Sequence, residues 1–260
     1  MVTSYENVEV KVEDGIFWLT LNRPEARNAL DANMLREIDE AITAAEGDPA
    51  VQVIVIQGAG EKSFAAGADI RQLHERKPLE ALVPGMQGLY SKIENSTKVT
   101  IAAVRGYALG GGCELAMACD IRIATKNAKF GLPELNLGIV PAAGGTQRLA
   151  RIVGKGRALD MILTGKIIDG EEAERIGLVS YYVDEETLQD KIVEVASAVL
   201  KKGPVAVMLA KRAVHKGYDI DEDTALWIEK LSQAVVFGTE DKQERTLAFL
   251  EKRQAEFKNR

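Results

Sequence analysis

The hydrophobic pattern opens with two short apolar-rich runs, Val8 to Val12 and Ile16 to Leu21, on either side of Glu13-Asp14-Gly15. Two strand-length runs around an Asp-Gly step predict a β-hairpin. The pattern then changes period. Met34, Leu35, Ile38, Ile42 and Ala45 fall on one helical face, Asp31 stands where an N-cap belongs, and Gly47-Asp48-Pro49 ends the segment. A helix from Asp31 through Glu46 is predicted. Val51 to Ile56 is β-branched and largely apolar, which predicts a buried strand. A loop of small residues, Ala65-Ala66-Gly67-Ala68, leads into a helix near Asp69, and a further helix is predicted over Leu79 to Asn95.

The segment from Ile101 to Asp120, IAAVRGYALGGGCELAMACD, organises the rest. An apolar run (Ile101 to Val104) passes through Gly106 into Gly110-Gly111-Gly112 and then a helical pattern, Cys113 to Cys119, with one carboxylate, Glu114. A strand feeding a glycine turn and a helix points free backbone N–H groups at whatever lies beyond the turn. One reading is a tight corner between backbones, with Glu114 turned to solvent. The other is an anion site, where a turn N–H holds developing negative charge and Glu114 moves a proton. The segment alone leaves both open.

Further along, Ile121 to Ala124 reads as a strand and Ala128 to Pro133 as a strand end and turn. Glu134 follows directly, between Leu132 and Leu135, a setting that raises a carboxyl's pKa unless something pairs with it. GIVPAAGGTQRLARIVG supplies a second glycine corner and a helix opening near Thr146. Helical patterns follow at Arg157 to Leu163 and Glu171 to Ile176, then a last strand, Leu178 to Val183. From there the chain reads as helix, at roughly 187–202, 205–216, 222–237 and 241–257. Strand-then-helix units followed by helices alone predict a layered α/β core over residues 1–203 and a helical region over 204–260, divided at Gly203-Pro204.

Composition narrows the function classes. With 260 residues, 46% hydrophobic and 28% charged, the chain has the make-up of a soluble globular protein, and no apolar run approaches the roughly 20 residues of a membrane span. The first residues lack a signal or transit pattern, so a cytoplasmic location is expected. A net charge of −6 argues against broad nucleic-acid binding. Cys113 and Cys119 have no metal spacing and read as buried thiols, while His74 and His215 lie among charges and read as surface residues. No G-x-S-x-G is present, and GAGEKS lacks the Gly-Lys-Ser order of a phosphate loop. For Asp69, helix capping is the simple reading.

Taken together, LNRPEARNAL (21–30), FAAGADI (64–70), the 101–120 segment, FGLPELNLGIVPAAGGTQRL (130–149) and FLEKRQAEFK (249–258) resemble the enoyl-CoA hydratase (crotonase) family over essentially the whole chain. The resemblance implies a spiral of ββα turns, with C-terminal helices that build trimers, often paired into hexamers. It implies an acyl-CoA thioester bent over FAAGADI, an oxyanion hole formed by the Ala68 and Gly111 amides, and two catalytic glutamates, Glu114 and Glu134. Substrate contacts carried over in the same way are Ala26, Arg27, Ala66, Asp69, Ile70, Gly110, Pro133, Ala142, Phe249 and Lys252. Arg27 is the residue expected to meet a phosphate, and Phe249 and Lys252 match tail positions that approach a neighbouring subunit's coenzyme A site. No metal or redox cofactor is implied; coenzyme A belongs to the substrate.

Hydration of a trans-2-enoyl-CoA is the expected reaction. Both glutamate positions are filled, whereas isomerases of the superfamily typically keep only the carboxylate at the Glu134 position. A second candidate is such an isomerase or another acyl-CoA enzyme of the superfamily. A third, of another class, is a noncatalytic acyl-CoA or RNA-binding member. Where many hydratases have Pro-Gly-Ala-Gly-Gly, this chain has Pro-Ala-Ala-Gly-Gly, which puts the Ala142 methyl group at the acyl pocket.

Overall fold

The computed structural model describes residues 5–255 and 257. The predicted hairpin is β1 (Val8–Glu13) paired antiparallel with β2 (Ile16–Leu21). α1 (Ala32–Gly47) begins where Asp31 accepts a hydrogen bond from the Met34 N–H at 2.8 Å, and it buries Met34, Ile38, Ala41, Ile42 and Ala45.

The chain then climbs in repeated turns. β3 (Val53–Gly58) and β4 (Ser63–Ala65) lead to α2 (Ile70–Glu75) and α3 (Gly85–Glu94). β5 (Val99–Val104) and β6 (Tyr107–Leu109) lead to α4 (Gly111–Ala118). β7 (Ile121–Thr125) and β8 (Lys129–Gly131) lead through a 3-10 turn, Pro133–Leu137, to α5 (Gly145–Val153) and α6 (Lys155–Thr164). β9 (Ile168–Asp169), α7 (Gly170–Arg175) and β10 (Tyr181–Val183) finish the layer, and α8 (Leu188–Leu200) closes over it. The strands form two sheets, ordered β1-β2-β3-β5-β7-β10 and β4-β6-β8-β9, and from β3 to β8 successive strands alternate between them. Each turn contributes one strand to each sheet, so the strands pair in parallel at β3–β5, β5–β7, β4–β6 and β6–β8. This is the α/β spiral of ββα units that the motifs imply.

Burial on both faces explains why β3 and β5 read as unbroken apolar runs. Val53, Val55, Val99, Ile101 and Ala103 pack with Leu188, Ile192, Val195 and Ala196 of α8, while Ile54, Ile56, Ala102 and Val104 join the larger core on the opposite face.

The remaining chain is α9 (Pro204–Gly217), α10 (Glu222–Phe237) and α11 (Glu240–Leu250). No residue of α9 or α10 is fully buried. α9 is tied to the spiral through Asp120, which binds Lys211 Nζ at 2.7 Å and His215 Nε2 at 2.9 Å. His215 is therefore half-buried and hydrogen-bonded to Asp120, where a surface residue was expected, whereas His74 is exposed.

Several boundaries differ from expectation for local reasons. The helix expected over Leu79 to Asn95 is two pieces, a 3-10 turn at Pro78–Leu82 and then α3, because Pro84 forces Val83 into an extended conformation (ψ 135°). The strand expected over Leu178 to Val183 pairs only at Tyr181–Val183. α11 stops at Leu250, not 257: Lys252 turns left-handed (φ +56°) and the Arg253 N–H bonds back to the Ala248 carbonyl at 3.0 Å. Residues 1–4, 256 and 258–260, which include one position of the expected tail helix and the last of FLEKRQAEFK, lie outside the described residues.

Candidate active site

α4 begins at Gly111, two residues earlier than the apolar pattern indicates, so the glycines form its first turn. Gly110 has φ +52°, open to glycine without strain, and its N–H is anchored on the Gly131 carbonyl at 2.9 Å. Gly112 is needed for a different reason: a β-carbon there would stand 2.0 Å from the Ala65 carbonyl oxygen. The loop after β4 therefore lies directly against the start of α4.

That contact brings two backbone donors together. The parallel bridge between Leu30 and Ala68 uses the Leu30 N–H (to the Gly67 carbonyl, 2.8 Å) and the Asp69 N–H (to the Leu30 carbonyl, 3.2 Å), which leaves the Ala68 N–H outside the pairing. The Gly111 N–H belongs to the first turn of α4, where no carbonyl of the helix can receive it. Neither amide has a partner among the described residues. They are neighbours, because a β-carbon on Gly111 would lie 3.6 Å from the Ala68 nitrogen. The fully buried Tyr90 hydroxyl donates to the Gly111 carbonyl at 2.8 Å from behind.

Glu114 is buried (3% exposed), which rules out the reading that turns it to solvent. Its Oε1 accepts the Ala143 N–H at 2.8 Å and the Gly145 N–H at 2.7 Å. Burial pushes this carboxyl above its ordinary value of 4.5, opposed by the two amides and the Arg148 charge. With Oε1 saturated by donors, Oε2 is the oxygen left for proton transfer.

Glu134 comes from the 3-10 turn after Pro133, and its buried Oε2 has no hydrogen-bond partner among the described residues. Its carboxyl is pushed up to about 7, first by burial and then by the Glu114 charge, with its own backbone N–H opposing. A β-carbon on Gly110 would lie 3.2 Å from Glu134 Oε1, so the Glu134 carboxyl lies directly against the glycine turn. Both carboxyls are raised by burial, one bound by two amides and the other with an unpaired oxygen, and the charge of Glu114 adds to the rise at Glu134.

Both glutamates and both free amides line one cavity of about 550 Å³, a size suited to a small-molecule ligand. Ala66, Asp69, Ile70, Gly110, Pro133 and Ala142 line it as well. Asp69 also caps α2, accepting from the Arg71 and Gln72 N–H groups at 2.9 and 3.3 Å. Four expected contacts lie elsewhere on the chain's surface. Ala26 and Arg27 do not line the cavity, although the Arg27 carbonyl accepts the Ala66 N–H at 3.1 Å and so borders the loop. Phe249 and Lys252, at the end of α11, are exposed and do not line it. Leu35, Leu73, Met86 and Ile139 give the wall an apolar stretch, and Gln72, Arg76 and Gln87 add polar groups to it.

The sequence reading missed three contributors. Met86, whose sulfur would lie 3.1 Å from a Gly111 β-carbon, sits on a helix with no visible tie to the glycine turn. Tyr90 and the corner amides at 143 and 145 are likewise found only through tertiary contact. A polar-tipped aromatic on a buried helix face was the one local cue, since a Tyr hydroxyl inside a core needs a partner.

The cysteines are free and buried, each thiol pushed up to about 12, chiefly by burial. No helix among the described residues is long and apolar enough to cross a membrane.

Comparison with known proteins points to one family in both sequence and fold. A sequence profile of the enoyl-CoA hydratase/isomerase family matches residues 11–260. The chain is 47% identical over 256 residues to the crotonyl-CoA hydratase of Syntrophomonas wolfei, covering 98% of each. It is 46% identical over 257 residues to the short-chain-enoyl-CoA hydratase of Clostridium acetobutylicum, again covering 98% of each. The crystal structure of enoyl-CoA hydratase from Bacillus anthracis superposes with a TM-score of 0.95 at 38% identity, covering 98% of this chain and 100% of that one.

Proposed function

The chain belongs to the enoyl-CoA hydratase/isomerase family, and we propose that it is an enoyl-CoA hydratase. In this reading it adds water reversibly, with syn geometry, across the double bond of a trans-2-enoyl-CoA to give a 3-hydroxyacyl-CoA. The observation that carries the proposal is two carboxyls, Glu114 and Glu134, on one cavity with the unpaired amides of Ala68 and Gly111. Similarity to a crotonyl-CoA and a short-chain-enoyl-CoA hydratase favours short acyl groups.

The chemistry follows from the positions. An enoyl thioester bound with its carbonyl oxygen between the Ala68 and Gly111 amides has an electron-poor C3. Glu114, as carboxylate, takes a proton from water through Oε2 while the hydroxide oxygen bonds to C3. The π electrons move onto the thioester oxygen, and the two amides hold that enolate; each such donor typically contributes about 3–4 kcal/mol. Glu134, carrying the proton, delivers it to C2, and the charge collapses back to the thioester. Water is consumed, one C–O and one C–H bond form, and the step needs no metal or redox cofactor.

Beyond the reacting centre, we assign the nucleotide end of coenzyme A to the segment around Ala26 and Arg27. Phe249 and Lys252 serve the corresponding site of a neighbouring copy in a trimer or a dimer of trimers. The helices from residue 204 onward build that assembly, and the enzyme works in the cytoplasm on fatty-acid β-oxidation or related acyl-CoA intermediates.

The test is direct. Crotonyl-CoA should lose absorbance at its conjugated thioester band on addition of the purified protein, with 3-hydroxybutyryl-CoA as the product. Glu114→Gln and Glu134→Gln should each lower kcat by about 10²–10⁴-fold with little change in substrate binding. A protein that binds crotonyl-CoA without bleaching the band, or variants that turn over like wild type, would refute the assignment.

A further inference from the structure

One half-buried ion pair beside the cavity has no step in the reaction as written. Arg148, on α5, has only 10% of its side chain exposed. Its Nε and Nη2 donate to the two oxygens of Glu94 at 3.0 and 2.8 Å, a fork-to-fork pair with the last residue of α3. Its Nη1 donates to the Ala143 carbonyl at 2.8 Å. Ala143 and Gly145 are the residues whose N–H groups converge on Glu114 Oε1. The guanidinium thus grips the carbonyl side of the same corner whose amide side grips the carboxylate. Between them Gly144 has φ +105°, and a β-carbon there would come within 2.1 Å of Nη1, so the guanidinium lies against bare backbone.

We infer that Arg148, itself oriented by Glu94, is a positioning residue for Glu114: it fixes the 143–145 corner so that both amides meet Oε1, and it places a buried positive charge behind the carboxylate. The inference rests on the reading of Glu114 as the group that activates water. Alternatively, the pair is only a half-buried salt bridge joining α3 to α5, of the kind that often contributes little net stability.

The two roles differ in what happens when one charge is removed. The Arg148 charge opposes the effect of burial on Glu114. Removing it leaves burial less opposed, so Glu114 should ionise at higher pH. Removing the Glu94 charge alone leaves Arg148 less neutralised, so Glu114 should ionise at lower pH. The other groups facing the pair stay in place in both variants. Towards Glu114 these are Tyr90 from α3, Cys113 on α4 and Glu134. Around Arg148, a separate cavity is bordered by Asp120, Arg122, Arg151, His215, Lys216 and Asp219. Differences between variants therefore report the pair itself.

The experiment compares wild type with Arg148→Gln, Arg148→Lys and Glu94→Gln in two readouts. One is the pH profile of crotonyl-CoA hydration. The other is an infrared titration of the Glu114 carboxylate, with Glu114→Gln as blank, which needs no turnover. Arg148→Gln should lower kcat roughly 10–100-fold, as small misplacements of reacting groups do, with KM within about twofold. Its acidic limb and its carboxylate titration should both move to higher pH. Arg148→Lys should return the titration toward wild type without restoring kcat, since the charge survives and the fork does not. Glu94→Gln should move both readouts to lower pH.

General loosening cannot produce shifts of opposite sign. Unmoved titrations in folded variants, shifts in the same direction, or a rise in KM alone would overturn the inference. If Arg148→Gln fails to fold, Glu94→Gln and Arg148→Lys decide the matter by the same criteria. Should wild type fail to hydrate crotonyl-CoA, the functional reading falls, while the infrared titration still tests whether Arg148 governs Glu114.

Discussion

The Tyr90 hydroxyl, sealed from solvent, donates to the carbonyl of Gly111, the residue whose own N–H is one of the two free donors on the cavity. A helix that starts on consecutive glycines has little intrinsic rigidity, since glycine loses the most backbone entropy on folding. The hydroxyl supplies a restraint that the local sequence lacks. Tyr90→Phe keeps the ring and removes the bond. It should lower stability by about 1 kcal/mol in urea denaturation. It should also lower kcat for crotonyl-CoA, by less than the 10²–10³-fold typical when an oxyanion donor is removed outright. A drop in stability with kcat unchanged would make the bond purely structural.

Glu134 makes a pH prediction of definite sign. Its carboxyl is raised from 4.5 to about 7 in the folded protein, chiefly by burial. Between those values the native state binds more protons than the unfolded chain, so this group's contribution to stability is complete at low pH and is lost as pH rises through about 7. Denaturation midpoints measured across this window should fall less steeply in Glu134→Gln than in wild type. In its proposed role as proton donor to C2, the same group should give kcat/KM an alkaline limb near pH 7. That limb should be missing from the residual activity of the variant.

Gly112→Ala tests the contact that builds the amide pair. The added methyl would overlap the Ala65 carbonyl at 2.0 Å, backbone against carbon, with no flexible side chain to yield. The loop after β4 and the start of α4 must separate. The cost should be at least the ~1–3 kcal/mol typical of overpacking. Hydration should fall further than the stability loss explains, because the Ala68 and Gly111 amides sit on the two surfaces driven apart. Activity that tracks only the folded fraction in a denaturation series would disprove the coupling.

The uneven legibility of the chain has a physical basis. The long elements carry their own period: α1 shows its buried face and its Asp31 cap, and β3 is apolar because both of its faces are covered. Of the second sheet only β8 was legible, as a strand end, because β4, β6 and β9 are three, three and two residues long and too short for any alternation to register. Glu114 and Glu134 stood out as carboxylates in apolar company, and burial is what raises both. What holds Glu114 is backbone N–H from residues 143 and 145, and every residue has a backbone, so no side-chain pattern marks it. The Glu94–Arg148 pair spans 54 positions and pairs two residue types that are ordinary on a helix surface.

Ala142 tests the acyl end of the cavity. It lines the wall, and its neighbour Ala143 holds Glu114. Ala142→Gly removes one methyl without touching that amide. A single methyl or methylene in a pocket is worth about 1–3 kcal/mol of discrimination. The ratio of kcat/KM for hexenoyl-CoA to that for crotonyl-CoA should rise, by roughly tenfold at the lower end of that range. An unchanged ratio would move chain-length control to the other apolar wall residues.

The last prediction concerns the C-terminal helices. On α10, Trp227, Leu231 and Val235 recur at four-residue spacing and are 61%, 51% and 56% exposed, and Val214 on α9 and Tyr218 just past its end repeat the spacing at 72% and 68%. Apolar stripes left open on two adjacent helices are what a protein interface looks like from one side. The packing between α9 and α10 does not cover them. Light scattering on the purified protein should give the mass of three or six chains of 28.3 kDa. Trp227→Glu with Leu231→Glu should convert it to monomer, since a charge at the centre of an interface must be desolvated without a partner. If Phe249 and Lys252 complete a neighbouring copy's coenzyme A site, that monomer should bind acyl-CoA more weakly while Glu114 and Glu134 remain in place. A monomeric wild type, or a monomeric variant with undiminished affinity for crotonyl-CoA, would refute the assembly and its contribution to the site in turn.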